Sequence, residues 1–243
     1  MSLNNNTIMN VRESCPLCNN GSRIKKILKV DQNFENFINS YYGDGGFKTI
    51  SQYVDNAITY SQCIQCKLIY QQNILSDKGM FMLYEKLIDP EKSLKKRLSF
   101  TAKQNLRGVL LLFTLIFKIK KPIKNIIIVD LGMGFGNMLS YAKALGCITS
   151  FGVELSQLRI DYAKNNFGID SYSSLSDFED NSIDLIISNQ SLEHIPDVRN
   201  NLDLIEQKLA LGGLTYIAVP NSSINQKLLK KGPFQPLEHI NSF

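Results

Sequence analysis

Four of the five cysteines stand in two Cys-x-x-Cys pairs, Cys15 and Cys18 in CPLC, and Cys63 and Cys66 in CIQC. Two intervening residues fold the backbone into a knuckle that turns both thiolates toward one metal, and two knuckles complete a tetrahedral sulfur site of the kind that suits Zn2+. All four positions are then taken by protein sulfur, so the site is closed and structural rather than catalytic. Iron in the same ligand set, a redox pair and unrelated thiols are the competing readings. The 44 residues between the pairs must carry structure of their own or loop out. The fifth cysteine, Cys147, follows a helix end at Gly146 and reads as a small buried residue.

A second candidate site is VDLGMGFGN, residues 129–137, where Gly132, Gly134 and Gly136 alternate after an apolar run and Asp130 precedes them. A phosphate-cradling loop needs G-x-x-x-x-G-K-[ST], and no lysine follows Gly136. The dinucleotide fingerprint is G-x-G-x-x-G; here the spacing is G-x-G-x-G, and an acid beside the turn would repel a pyrophosphate. Another nucleotide-like cofactor, or none, is left open by the residues alone. Glu154, in FGVELS at the end of the next apolar stretch, is a second acid able to accept two ribose hydroxyls; its bland role is to favour a helix N-terminus through the dipole.

The elements that must position these residues are regular. After Pro122 the chain reads strand (NIIIVDLG), helix (GNMLSYAKALG), strand (ITSFGVEL), helix (SQLRIDYAKNNFG, with Ser156 as its cap and Gly168 past its end), a weak strand (IDSYSS), strand (SIDLIISNQ), helix closed by a Gly-Gly stop (VRNNLDLIEQKLALGG) and strand (LTYIAVPN). Strands alternating with helices give a parallel, doubly wound α/β sheet whose ligands bind at the strands' carboxyl ends. Residues 77–121 are helical in pattern, with EKSLKKRLSFTAKQNLRGVLLLFTLIFKIKK as one helix or two. The domains expected are a metal-binding module over 1–76, a helical linker over 77–121 and a doubly wound domain over 122–243.

The 243 residues are 44% apolar with a net charge of +5. That fits a folded, slightly basic protein and indicates no nucleic-acid partner by charge alone. The polar start MSLNNNTIMNVRESC is not a secretory signal. The longest apolar run, VLLLFTLIF at 109–117, is short of the ~20 residues a membrane span needs and reads as a buried helix, with a membrane-surface helix as the alternative because KIKKPIK follows. A cytoplasmic location is expected, where paired cysteines bind metal rather than form disulfides.

VDLGMGFGNML resembles the first motif of class I S-adenosylmethionine-dependent methyltransferases, acid-x-G-x-G-x-G, and NSIDLIISNQSLEHIPDVRNNL and LALGGLTYIAVPN resemble later segments of that family. The resemblance implies S-adenosylmethionine as cofactor. Asp130 would face its positively charged amino-acid end, Gly132, Gly134 and Gly136 its close approach, Glu154 its ribose, and Asn189 and Gln190 would lie near it. His194 would lie toward the methyl acceptor. The turn after the third strand, SSLSDFED, offers Leu175, Asp177 and Phe178 for the adenine without a clear choice. CPLC, CIQC-KLIYQQNILSD and LYEKL resemble an N-terminal zinc-binding module found before such domains in sugar-modifying enzymes of polysaccharide loci. PLEHINSF resembles the same subset, which makes His239 a candidate general base with Glu238 beside it; packing is its alternative role. The implied activity is methyl transfer to a small polar acceptor, a sugar or nucleotide sugar. An RNA or protein methyltransferase that uses the metal module for binding, or an inactive cofactor-binding homologue, are the alternatives. The family sheet has two further strands that are not seen before Phe243, so an incomplete sheet and self-association through its edge are expected.

Overall fold

The protein's structure is a computed structural model that describes residues 9–29, 35–36, 39–40, 57–82, 94–95, 98–220 and 240–243. Two compact units emerge, neither continuous in sequence: Met1–Asp89 with Glu193–Arg199 and Pro220–Phe243, and Pro90–Leu192 with Asn200–Val219. These bounds differ from the consecutive modules that sequence patterning suggests, because two late segments pack with the N-terminal one.

In the first unit, Met9–Val11 (β1) pairs antiparallel with Asn73–Leu75 (β5). Arg23–Lys29 (β2), Ala57–Cys63 (β3), Ile69–Gln71 (β4) and Asn241–Ser242 (β11) form an antiparallel sheet in the order β11-β4-β3-β2. The stretch between the cysteine pairs thus supplies β2 and most of β3, in register from Arg23 opposite Cys63 to Lys29 opposite Ala57. Arg12 fastens the late segments to the early one. Its guanidinium donates to the carbonyls of Pro196 (2.5 Å), Ile240 (3.2 Å) and Gln71 (3.4 Å) and to Asn241 Oδ1 (2.9 Å). Asn241 Nδ2 in turn donates to the Ile195 carbonyl at 2.7 Å, and the Arg199 N–H to that of Pro16 at 2.9 Å.

The second unit is a parallel five-stranded sheet. Its strands are Ile127–Leu131 (β6), Thr149–Val153 (β7), Asp170–Tyr172 (β8), Ile183–Asn189 (β9) and Leu209–Ala218 (β10). The order is β10-β9-β6-β7-β8, so β7 lies on one side of β6 and β9 on the other. The carboxyl end of β6 is therefore the point where the winding reverses, the place where open α/β sheets bind ligands. β6 and β9 are almost wholly buried, as their unbroken Ile/Leu/Val runs require. At the opposite end of β6, buried Asp184 accepts from Lys121 Nζ (2.6 Å) and the Ile127 N–H (3.0 Å) and fixes where the strand begins.

The long apolar helix begins at a capping box. Thr101 and Gln104 satisfy each other's backbone N–H groups, and Ala102–Lys118 (α2) follows; a separate short helix, Asp77–Met82 (α1), precedes it. α2 buries Leu112 and Ile116 and approaches Asn137–Ala144 (α3) at Gly108, where a Cβ would lie 2.6 Å from the Tyr141 ring. Gln157–Phe167 (α4) ends at left-handed Gly168, as its sequence requires. Ser156 occupies the cap position, yet its side chain makes no capping bond; Glu154 Oε1 accepts the N–H groups of Leu155 (2.9 Å) and Ser156 (3.0 Å) instead. The Gly-Gly pair is not a helix stop. Val198–Lys208 (α5) ends earlier, and Gly212–Gly213 forms an irregularity inside β10, where the register shifts between Leu209 and Leu214. Gly212 has φ +78°, and a Cβ on Gly213 would lie 2.9 Å from the Ala210 carbonyl, so the bulge needs both glycines. β10 is an edge of the sheet among the described residues.

Candidate cofactor site and cysteine cluster

β6 delivers Asp130 to the carboxyl end of the sheet, 3% exposed. The turn that follows is tied to β7: the N–H groups of Gly132 (2.8 Å) and Met133 (3.2 Å) both donate to the Val153 carbonyl. Gly132, Gly134 and Gly136 all have positive φ, +76°, +55° and +79°. Their reasons differ. A Cβ on Gly132 would lie 2.3 Å from Ser191 Oγ, and one on Gly136 would lie 3.0 Å from Ala163 and Ile169 side chains, whereas one on Gly134 would meet no heavy atom within 4 Å. The first and third glycines serve packing; the middle one faces open space, which is where a ligand approaches a backbone closely.

Glu154, just past β7, crosses to this turn. Its Oε2 accepts the Gly134 N–H at 3.0 Å and lies 3.7 Å from Arg159 NH1, while Oε1 accepts the Leu155 and Ser156 N–H groups just before α4. Arg159 also sits over the Phe135 ring at 5.8 Å. Burial first, and the negative charge of Glu154 second, push the Asp130 carboxyl up to about 7. Two carboxylates at the carboxyl ends of neighbouring strands, beside an open glycine, form a site that gains from a cation. That suits a ligand carrying an ammonium and a sulfonium, and not a pyrophosphate. The residues therefore fit S-adenosylmethionine, which supplies an activated methyl group when bound.

Asn189 and Gln190 leave β9 at the same carboxyl end of the sheet and are exposed. Gln190 holds φ +58°, and its N–H donates to the Ala218 carbonyl at 2.7 Å. Ser191 and Gly132 are neighbours, with Ser191 Oγ 3.5 Å from the Gly132 carbonyl. Of the three residues offered for the adenine, Leu175 is buried, Asp177 accepts the Ser174 N–H at 3.1 Å as part of a capping box, and Phe178 packs against Tyr172 and Phe151.

His194 belongs to the other compact unit, in the helical turn Leu192–His194, where it is half-buried. Its Nε2 lies 3.9 Å from Glu193 Oε1. Glu193, which sequence motifs list but do not single out, is 1% exposed, and among the described residues no other residue donates a hydrogen bond to its carboxylate. Burial pushes it up to about 7. Glu238 and His239 lie outside the described residues.

The four paired cysteines converge. Their sulfurs all lie within 4.8 Å of one another, with Cys15–Cys66 and Cys18–Cys63 at 3.5 Å, and no disulfide joins them. A tetrahedral zinc with ~2.3 Å bonds needs sulfurs about 3.8 Å apart, so the cluster is preformed. Each knuckle closes alike: the Asn19 N–H donates to the Cys15 carbonyl (2.9 Å) and the Lys67 N–H to that of Cys63 (3.1 Å), and Asn19 and Lys67 both take positive φ. Burial raises Cys15 and Cys66. At Cys63 burial is outweighed by the Cys66 backbone N–H and the Cys18 thiol, which bring it down to about 7. Cys147 stands apart, buried in the core of the second unit.

The family model described as "Methyltransferase domain" matches residues 99–243, more than half of the chain. A curated relative, a ubiquinone biosynthesis O-methyltransferase of Bartonella tribocorum, is 31% identical over 108 residues, which are 41% of this chain and 43% of that protein. The chain thus spans less than half of that relative. Among solved structures, an S-adenosylmethionine-dependent methyltransferase from Mesorhizobium loti is 25% identical over 46% of this chain and 52% of its own, with a TM-score of 0.39. One from Archaeoglobus fulgidus is 22% identical over 61% and 69%, with a TM-score of 0.45.

Proposed function

We propose that this chain, which belongs to the methyltransferase domain family, uses S-adenosylmethionine to methylate a small polar acceptor, a sugar or nucleotide sugar, with a structural zinc in the cysteine cluster. The observation that carries the cofactor half is the pair Asp130 and Glu154 flanking the open Gly134 at the switch point of the sheet. Asp130 would hold the cofactor's positive end, and Glu154 its ribose, kept in place by the Gly134 N–H and Arg159. Asn189 and Gln190 would line the same site. The preformed four-sulfur cluster supports the zinc, and its occurrence ahead of a methyltransferase domain supports the sugar acceptor.

On the acceptor side, His194 is, by its place in the motif, the candidate base that would take a proton from the acceptor hydroxyl. Glu193, 3.9 Å from its Nε2, stabilises the resulting imidazolium. His239, with Glu238, is the second candidate base. Most of the rate then comes from holding acceptor and methyl in line. A hydroxyl on an aromatic ring is the second reading of the acceptor, favoured by the Bartonella relative's name. A mass-spectrometric assay offering nucleotide sugars and ring phenols side by side separates them. Methyl gain on a nucleotide sugar, lost roughly 100-fold or more in His194→Ala with unchanged S-adenosylhomocysteine binding, supports the first reading. Methylation of phenols alone overturns it.

A further inference from the structure

α2 has two faces of opposite fate. Leu112 and Ile116 enter the core, with Leu111 and Leu115 packed against it. On the other side Leu106, Leu110, Phe113 and Phe117 are 56, 54, 53 and 81% exposed. Their spacing of four, three and four residues places them in one stripe along the helix, and the Phe113 and Phe117 rings stack on each other at 6.3 Å. A stripe of large apolar side chains this exposed is unusual for a surface in water and marks an interaction site.

Charge says which kind. From Thr101 to Val129 the chain has no acid and six basic residues, Lys103, Arg107, Lys118, Lys120, Lys121 and Lys124. All six are exposed. Lys121 is committed to Asp184. Lys103, Arg107 and Lys118 fall along one flank of the apolar stripe at helical spacing. A second copy of the chain would bring two such basic helices together, like against like. A negatively charged bilayer surface matches both features, apolar side chains entering the acyl boundary and cations meeting the headgroups. α2 is not a span: it has 17 residues and its opposite face is in the core.

We propose that α2 docks the protein on an anionic membrane surface, with Phe113 and Phe117 inserted at the interface and Lys103, Arg107 and Lys118 on the headgroups. This is independent of which acceptor is methylated. Binding follows from apolar burial plus charge, so it weakens with salt and with loss of anionic lipid.

The chain has no tryptophan, so F117W in the full protein gives a single reporter at the tip of the stripe. Mixed with phosphatidylcholine vesicles containing phosphatidylglycerol, its emission is expected to shift to the blue and to be quenched by lipids brominated on the acyl chain. Phosphatidylcholine alone or high salt removes most of the shift. In flotation, Phe113→Ser with Phe117→Ser lowers partitioning of the otherwise native chain roughly tenfold or more. Lys103→Gln with Arg107→Gln and Lys118→Gln lowers it by a similar factor and flattens the salt dependence. The serine variant keeps its melting temperature and its S-adenosylhomocysteine binding, since these rings pack only at the surface. No blue shift on anionic vesicles overturns the proposal. So does flotation that the serine variant leaves unchanged, or a dimer in sedimentation velocity that the same variant dissociates, which would make a second copy the occupant.

Discussion

Replacing Asp130 by asparagine should stabilise the ligand-free protein at neutral pH and destroy its binding site. Burial and Glu154 raise this carboxyl from 3.8 to about 7. At 1.36 kcal/mol per pH unit, the ionised form costs the fold about 4 kcal/mol. The sign follows from linkage. A carboxyl whose folded value is raised binds its proton more tightly when folded, so its cost is absent below about pH 4, grows as pH rises to about 7, and is constant above. Asparagine removes the charge but leaves an amide in a buried place, which costs about 1–3 kcal/mol. The variant should therefore be about 1–3 kcal/mol more stable than the parent at pH 8 and no more stable, or less, at pH 4.5. Urea denaturation of both proteins across this range, plotted as their difference, cancels every other titrating group. Binding goes the other way: S-adenosylmethionine affinity is lost in the variant, and in the parent it falls about tenfold per pH unit below 7, where a proton must leave first. A stability difference that does not change with pH would refute the reasoning.

Further outcomes follow from single contacts. Gly132→Ala forces an alanine to φ +76° and a methyl onto Ser191, which should cost about 1–3 kcal/mol in denaturation and weaken cofactor binding. Native mass spectrometry should find one metal ion per chain, and Cys63→Ser should lose it with several kcal/mol of stability. Asn241→Ala removes the bond to the Ile195 carbonyl and one to Arg12; faster hydrogen exchange across residues 193–199 and a loss of about 1–3 kcal/mol are expected.

What sequence reveals here is what local geometry dictates. The acid, the alternating glycines and the buried strand before them are set by a tight turn at one strand end, so residues 129–137 show them together. The cysteine knuckles are equally local, and their joining is the economical use of four ligands. What stays hidden depends on residues far apart in the chain. Nothing near Gly132 announces Ser191, 59 positions on, as the reason for that glycine. Glu193 looks like one more polar residue in a loop until its burial is seen. Gly212 and Gly213 imitate a helix stop because a bulge and a helix end both need positive φ. Asn241 joins the cysteine-bearing sheet through pairing with Tyr70, a partner that periodicity cannot suggest. The stripe on α2 overlaps an apolar run that reads either as a buried helix or as a membrane-surface one, and only the fold tells its two faces apart.

In the proposed site, Asp130 and Glu154 hold S-adenosylmethionine at the glycine turn. Calorimetric titration with S-adenosylhomocysteine of the parent chain and of an Asp130→Ala, Glu154→Ala variant tests it directly. One micromolar site per chain is expected in the parent, and no measurable heat in a variant that remains folded by circular dichroism. Equal binding by both, or none by a folded and metal-loaded parent, would contradict it.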